Sequence, residues 1–181
     1  RRITIDGAGN IYASNYQSNN VTKITPAGAV SILGSTGSYP YGITKDGAGN
    51  IYTANANTNN VTKITPAGVS TILGTTGFNT GPWGITIDGA GNIYTANSLS
   101  NNVSKITPAG VSTILGTTGT SPRDITIDGA GNIYTTNAGS NNVSKITPAG
   151  VSTILGSTGT SPRDITIDGA GNIYTANSGS N

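Results

Sequence analysis

Short stretches in which apolar and polar residues alternate, separated by turn sequences, make up the whole chain. Ile125, Thr126 and Ile127 alternate; the letters DGAGN follow at residues 128–132, and alternation resumes at Ile133. A period of two predicts β-strands, and a Gly/Asp/Asn segment between two such strands predicts a hairpin. No stretch has the 3.6-residue period of an amphipathic helix. The pattern therefore predicts an all-β protein.

The hairpin is half of a longer unit that repeats along the chain. Residues 143–147 form a third predicted strand, the letters PAG at 148–150 supply a turn, and residues 151–155 form a fourth strand. The motif aspartates recur at intervals of 40, 42, 40 and 40 residues: Asp6, Asp46, Asp88, Asp128 and Asp168. Four short antiparallel strands in each unit of about 40 residues are typical of a β-propeller blade.

Counting from Ile3, the sequence predicts four complete blades and one further hairpin in a single array. The predicted blades cover residues 3–42, 43–84, 85–124 and 125–164, and the hairpin covers 165–181. We name the strands of a blade A to D from the inside outward. Because the array starts with strand A and ends with strand B, its ends are not complementary. We therefore expect either a segment of a longer array or a homo-oligomer, completing a ring of about six to eight blades.

The repeated hairpin resembles the NHL repeat, whose core reads Gly-Ile, an apolar pair, Asp-x-x-Gly-Asn, an apolar residue, Tyr and Val. Residues 84–94 and 42–52 match most of it. Thr or Ala stands where the family often has the final Val, and Lys45 replaces an Ile in the second copy. The resemblance covers the whole chain and implies a propeller fold. The chain is also similar to the propeller of streptogramin lyases.

Composition restricts the classes of function. The net charge is +2, from nine Lys/Arg and seven acidic residues, which is too little for the clustered basic surface of a nucleic-acid-binding protein. The chain has no Cys and therefore no disulfide. It also lacks the long apolar run that membrane insertion by a helix requires. A weakly charged, cysteine-free β protein fits an extracellular or cell-surface location, and nothing in the pattern implies a cofactor.

Differences between the repeats sort by face, and this predicts where a ligand binds. The A–B turn reads DGAGN in every copy and the C–D turn reads PAG, whereas the B–C and D–A loops vary. In an up-and-down blade these two variable loops emerge on the same face. They carry residue types that dominate binding hot spots. The predicted binding residues are Tyr16, Tyr39, Tyr41, Phe78, Trp83, Arg123 and Arg163. The alternative is local packing of these side chains over the blade tops.

Catalysis is not predicted. The resemblance to streptogramin lyases and to peptide-amidating lyases, which share the fold, implies histidine-dependent chemistry, and this chain contains no His. The recurring Asp of DGAGN lacks the converging oxygen ligands of a calcium loop, so we interpret it as a turn-forming residue. The sequence favours a non-catalytic scaffold or recognition module for a protein or small ligand. The competing hypothesis is a natural or engineered structural protein whose near-identical blades stack between chains.

Overall fold

The computed structural model describes residues 2–179 and confirms the predicted propeller architecture. Its 18 strands form four sheets of four strands and one sheet of two, each antiparallel and ordered as the strands occur in the chain. No helix long and apolar enough to span a bilayer occurs in this part of the chain. The strands of a sheet run in the order A to D, and the A strands of successive sheets lie side by side.

The strand bounds repeat closely from sheet to sheet. The first sheet contains β1 (Ile3–Ile5), β2 (Ile11–Asn15), β3 (Asn20–Ile24) and β4 (Val30–Ser35). The second contains β5 (Pro40–Lys45), β6 (Ile51–Asn55), β7 (Asn60–Ile64) and β8 (Ser70–Thr75). The third contains β9 (Pro82–Ile87), β10 (Ile93–Asn97), β11 (Asn102–Ile106) and β12 (Ser112–Thr117). The fourth contains β13 (Pro122–Ile127), β14 (Ile133–Asn137), β15 (Asn142–Ile146) and β16 (Ser152–Ser157), and the hairpin contains β17 (Pro162–Ile167) and β18 (Ile173–Asn177).

The A–B turn is held by its aspartate, as the sequence predicts. In the third sheet, Asp88 Oδ1 accepts hydrogen bonds from the backbone N–H groups of Ala90 (2.9 Å) and Asn92 (2.8 Å). Its Oδ2 accepts from the Asn92 amide (2.8 Å) and the Tyr94 hydroxyl (3.0 Å). Gly91 takes a φ of 83°, which a residue with a side chain rarely adopts. All four acceptor bonds are local, so the motif is a structural element of the hairpin.

The hydrophobic core lies between consecutive sheets, because B-strand residues alternate between the two neighbours. Tyr52 and Ala54 face forward and pack against Ile85, Ile93 and Ile106 of the next sheet. The same set recurs between the third and fourth sheets. Each sheet therefore has a forward side carrying Tyr and a backward side carrying Ile, and stability depends on neighbouring sheets covering one another.

The two ends of the array leave these sides uncovered within residues 2–179. Ile3 is 69% exposed, whereas Ile85 at the same register is 7% exposed. Tyr174 on the final hairpin is 55% exposed, whereas Tyr94 is 6% exposed. The first sheet thus presents a free backward side and the hairpin a free forward side. The ring of about six to eight blades stays a prediction.

Candidate functional site

The D–A and B–C loops lie against one another on one face of the array. The backbone N–H of Ala56, in the β6–β7 loop, donates to the carbonyl of Tyr39 in the β4–β5 loop (2.9 Å). The corresponding bond in the fourth sheet joins Ala138 to Ser121 (3.0 Å). We call this the variable face, formed by the B–C loops, the D–A loops and the first residues of the A strands.

An asparagine of each B–C loop fixes the D–A loop that follows it. The side-chain oxygen of Asn101 accepts from the backbone N–H of Ser121 (2.8 Å), and that of Asn59 accepts from Thr80 and Gly81 (2.9 Å each). These asparagines have a φ near 50°, a conformation that Asn tolerates better than most residues. The variable face therefore rests on a repeated local support.

A β-bulge places one residue of each of four A strands, β5, β9, β13 and β17, on this face. Pairing between β5 and β6 matches Pro40 with Asn55 and Gly42 with Ala54, so Tyr41 is the extra residue. The same shift occurs at the corresponding residues of the next three A strands, which are Trp83, Arg123 and Arg163. A bulge re-aims the side chain of its extra residue. These residues belong to strands, whereas the sequence pattern predicted them in loops, because pairing resumes at the proline that precedes each of them.

Five of the seven predicted binding residues form one continuous stack. Tyr39 stacks on Tyr16 with 4.4 Å between ring centroids, and Tyr16 meets Tyr41 at 4.9 Å with the rings tilted by 57°. Tyr41 stacks on Trp83 at 4.1 Å and 12°. The guanidinium carbon of Arg123 then lies 3.6 Å from the Trp83 ring centroid, a close cation–π contact. The stack joins the first three sheets to the fourth.

The stack ends at a cavity of about 260 Å³. It is lined by Arg2, Tyr41, Trp83, Arg123, Arg163 and Asp164. Arg163, the sixth predicted binding residue, thus lies beside the stack at this cavity. Phe78 stands apart: it is 99% exposed in the β8–β9 loop and does not line this cavity.

Three further residues at or beside the cavity were not among the sequence-predicted set. Arg2 Nη1 lies 2.7 Å from Asp124 Oδ1 and 3.4 Å from Asp164 Oδ1, and Arg2 Nη2 donates to the carbonyl of Arg163 (3.2 Å). The two aspartates occupy the position held by Gly42 in the second sheet and glycine again in the third. The change from glycine to aspartate at this fixed position of the A strand was the signal in the sequence that could have identified the two aspartates.

Asp124 is an unusual carboxyl group. Burial, together with the hydrogen bond to Asp164, raises its pKa to about 7, although the charge of Arg2 opposes both effects. Its Oδ2 also accepts from the backbone N–H of Ile165 in the next A strand (3.1 Å). The carboxyl thus joins the fourth sheet to the hairpin beside the cavity. Among residues 2–179, no cluster of three or more acidic, His or Cys residues is suited to hold a metal ion.

The B-strand tyrosines are structural. The Tyr94 hydroxyl donates to Asp88 of its own turn, and burial together with this bond raises the pKa of Tyr94 to about 12. Its ring packs against the next sheet. These tyrosines lie away from the variable face and carry none of its chemistry.

Comparisons with known proteins agree with this architecture. A selenomethionine-substituted virginiamycin B lyase from Staphylococcus aureus is 20% identical and superimposes with a TM-score of 0.82 over 97% of this chain and 68% of its own. A streptogramin B lyase is 19% identical, with a TM-score of 0.84 over 97% and 67%. A chain of the nidogen/laminin complex is 19% identical, with a TM-score of 0.81 over 97% and 70%. At these identities, structural similarity shows the fold alone.

Sequence comparison is more specific. A search of curated proteins gave no match. The family model described as the virginiamycin B lyase family, however, matches residues 2–181. Because that match covers nearly the whole chain, the protein belongs to the virginiamycin B lyase family.

Proposed function

We propose that this chain is a non-catalytic recognition module that binds a protein or small ligand on its variable face. The observation that carries the proposal is the set of four bulged residues, which the fold repeats at one register and which the sequence varies as Tyr41, Trp83, Arg123 and Arg163. The surrounding strands are nearly identical from sheet to sheet. A rigid scaffold with variation confined to one face suits recognition.

The chemistry of the chain supports the non-catalytic part. A histidine-to-alanine variant of the S. aureus virginiamycin B lyase, solved with quinupristin, is described as catalytically inactive. The 181 residues of this chain contain no His. The acidic groups at the cavity are engaged with Arg2 and with the backbone of the next strand. These observations support a chain of this family without the lyase activity.

Incubation with quinupristin tests this point. We expect the compound to remain intact by mass spectrometry, at the rate of a buffer control. Consumption of quinupristin by the chain, abolished by Asp124→Asn, would show that the cavity is catalytic and would refute the proposal.

Paired variants test the binding face. Trp83→Ala combined with Arg123→Ala removes the cavity end of the stack, whereas Ala90→Glu changes an exposed residue of the opposite face. We expect a partner captured by the immobilised chain to be lost in the double variant and kept in Ala90→Glu. Retention of every partner by the double variant, with its circular dichroism spectrum unchanged, would exclude the variable face.

A second candidate is self-association, favoured by the uncovered ends. The free forward side carries Tyr174 and the free backward side carries Ile3, and these are the two halves of the contact that Tyr134 and Ile165 make between the fourth sheet and the hairpin. One copy could therefore seat its hairpin against the first sheet of another. Such a contact is heterologous and either closes a ring or extends a fibre.

Light scattering over a range of concentrations tests the second candidate. We expect the mass to rise with concentration and Ile3→Asp to abolish the rise, because a charge at a covered apolar position is costly. A chain that remains monomeric throughout would exclude self-association and leave recognition as the function. An extracellular location stays part of the proposal.

A further inference from the structure

Two arginines stand side by side at the end of the stack. Arg123 and Arg163 are the bulged residues of adjacent A strands, so the fold fixes them at the same register. Both line the cavity. Like charges placed together are costly unless an anion lies between them. A negatively charged group bound between the two guanidinium groups would offset this cost.

The aromatic stack holds Arg123 but leaves one buried donor of its guanidinium without a hydrogen-bond partner in the described part of the chain. One face of Trp83 is covered by Tyr41 and the guanidinium of Arg123 lies 3.6 Å from the ring centroid. The Nη1 atom of Arg123 is buried and has no hydrogen-bond partner among residues 2–179. Buried polar atoms are rarely left without a partner, so this donor is available to an acceptor group of a ligand. Because the rings of the stack already cover one another, the arginine side chains are the groups at this end of the stack that can bind a ligand.

The nearby acids do not neutralise the pair. Arg2 contacts both Asp124 and Asp164, at 2.7 and 3.4 Å. Asp124 Oδ2 is bound to the backbone of Ile165. Arg163 makes a side-chain hydrogen bond from Nε to the Ser178 hydroxyl (2.8 Å), a neutral acceptor. The carboxylates are thus committed to Arg2 and to the strand backbone.

We propose that the cavity binds an oxyanion, the carboxylate or phosphate group of a ligand, between Arg123 and Arg163. This inference rests on the proposed recognition function and names the chemical class of its ligand. Guanidinium groups bind both anions through paired N–H donors. The anionic group enters the cavity at the cationic end of the stack, and the aromatic rings hold Arg123 in position.

Trp83 provides a local signal for this site because it is the only Trp of the chain. The whole chain is titrated with sodium phosphate and, separately, with sodium acetate, at an ionic strength held constant with sodium chloride. The variants are Arg163→Gln, which removes an exposed guanidinium outside the stack, and Lys45→Gln, which removes one positive charge from the far end of an A strand. Circular dichroism confirms that each variant is folded.

We expect saturable changes in Trp83 fluorescence with at least one anion and affinity weakened about tenfold in Arg163→Gln, equivalent to about 1.4 kcal/mol. Lys45→Gln should bind like the wild type. A response to phosphate but not acetate assigns a phosphate-bearing ligand, and the reverse assigns a carboxylate.

No saturable change with either anion, or equal affinity in Arg163→Gln and wild type, would overturn the oxyanion site. The recognition function is tested separately by the loss of partners in the Trp83 and Arg123 double variant. A partner lost there while phosphate and acetate fail to bind would refute the anion class alone.

Discussion

Ile85 and Ile3 occupy the same position of two sheets and differ in whether a preceding sheet covers them. Ile85 packs in a core with Tyr52, Val61 and Ile93, and is 7% exposed, whereas Ile3 is 69% exposed. We expect Ile85→Ala to lower the free energy of unfolding substantially and Ile3→Ala to change it little. The two substitutions remove the same atoms, so the difference measures the cover supplied by a neighbouring sheet.

The magnitudes follow from burial. Replacing a buried Ile by Ala costs about 2–5 kcal/mol, and the nearly complete burial of Ile85 places it within that range. Complete burial of an Ile side chain contributes about 1.5–3 kcal/mol. Less than a third of the Ile3 surface is buried, so Ile3→Ala should lower the free energy of unfolding by less than about 1 kcal/mol.

Urea unfolding followed by far-ultraviolet circular dichroism measures both variants. With an m value of about 1–3 kcal/mol per M, Ile85→Ala should lower the midpoint by about 1–2 M. Ile3→Ala should lower the urea midpoint by only a few tenths of the change seen for Ile85→Ala. Equal losses in the two variants would contradict this expectation, because they would show that Ile3 is covered in solution by another sheet. That outcome would also favour the self-association candidate.

Three further predictions concern the A strands and the carboxyl groups. Gly84→Ala should destabilise the chain by about 1–3 kcal/mol in the same urea assay, because a Cβ there would lie 2.9 Å from Asp124 Cα. Gly89→Ala is the control: its Cβ would meet nothing within 4 Å, so its free energy of unfolding should be unchanged. The thermal midpoint should fall as the pH rises from about 4 to about 7. The reason is the raised pKa of Asp124, because of which the folded state binds more protons than the unfolded state in this pH range. Asp124→Asn should remove that slope, and an unchanged slope would contradict the raised pKa of Asp124. Below pH 4 the midpoint should fall as the pH is lowered. Burial raises the pKa of Asp88, but the hydrogen bonds from Asn92, Tyr94 and Ala90 lower it by more, so its pKa is depressed and its stabilising contribution is lost as the group takes up a proton. Asp88→Asn should make this acid limb less steep but not remove it, because the other turn aspartates have lowered pKa values as well.

The periodic sequence accounts for most of the fold. Alternation of Ile and Thr around DGAGN specifies the hairpin, and the aspartate forms the expected local hydrogen bonds within its own turn. The four-stranded unit, the count of sheets and the shared face of the variable loops follow from the same repetition. These features are local or repeat at short range, so the sequence carries them without reference to distant residues.

The candidate site was predictable in some of its members but not in its arrangement. The sequence indicates which residues vary on one face, yet Tyr41 and Trp83 are 42 residues apart and their stacking depends on how adjacent sheets are set side by side. Phe78 belongs to the same variable set but lies outside the stack, fully exposed in the longer β8–β9 loop. Arg2 was not predicted, since its contact with Asp124 joins the first sheet to the fourth across the array.

The strands, the turns, the repeat and the face that varies can all be read from the amino-acid sequence, because they depend on residues a few positions apart. Three features of the site appear only once the sheets are packed. Bulges aim Arg123 and Arg163 into one cavity, and the Trp83 ring lies against Arg123. Arg2 forms ion pairs with the nearby carboxylates. Those contacts depend on the distance between neighbouring A strands. That distance is set by the packing of whole sheets.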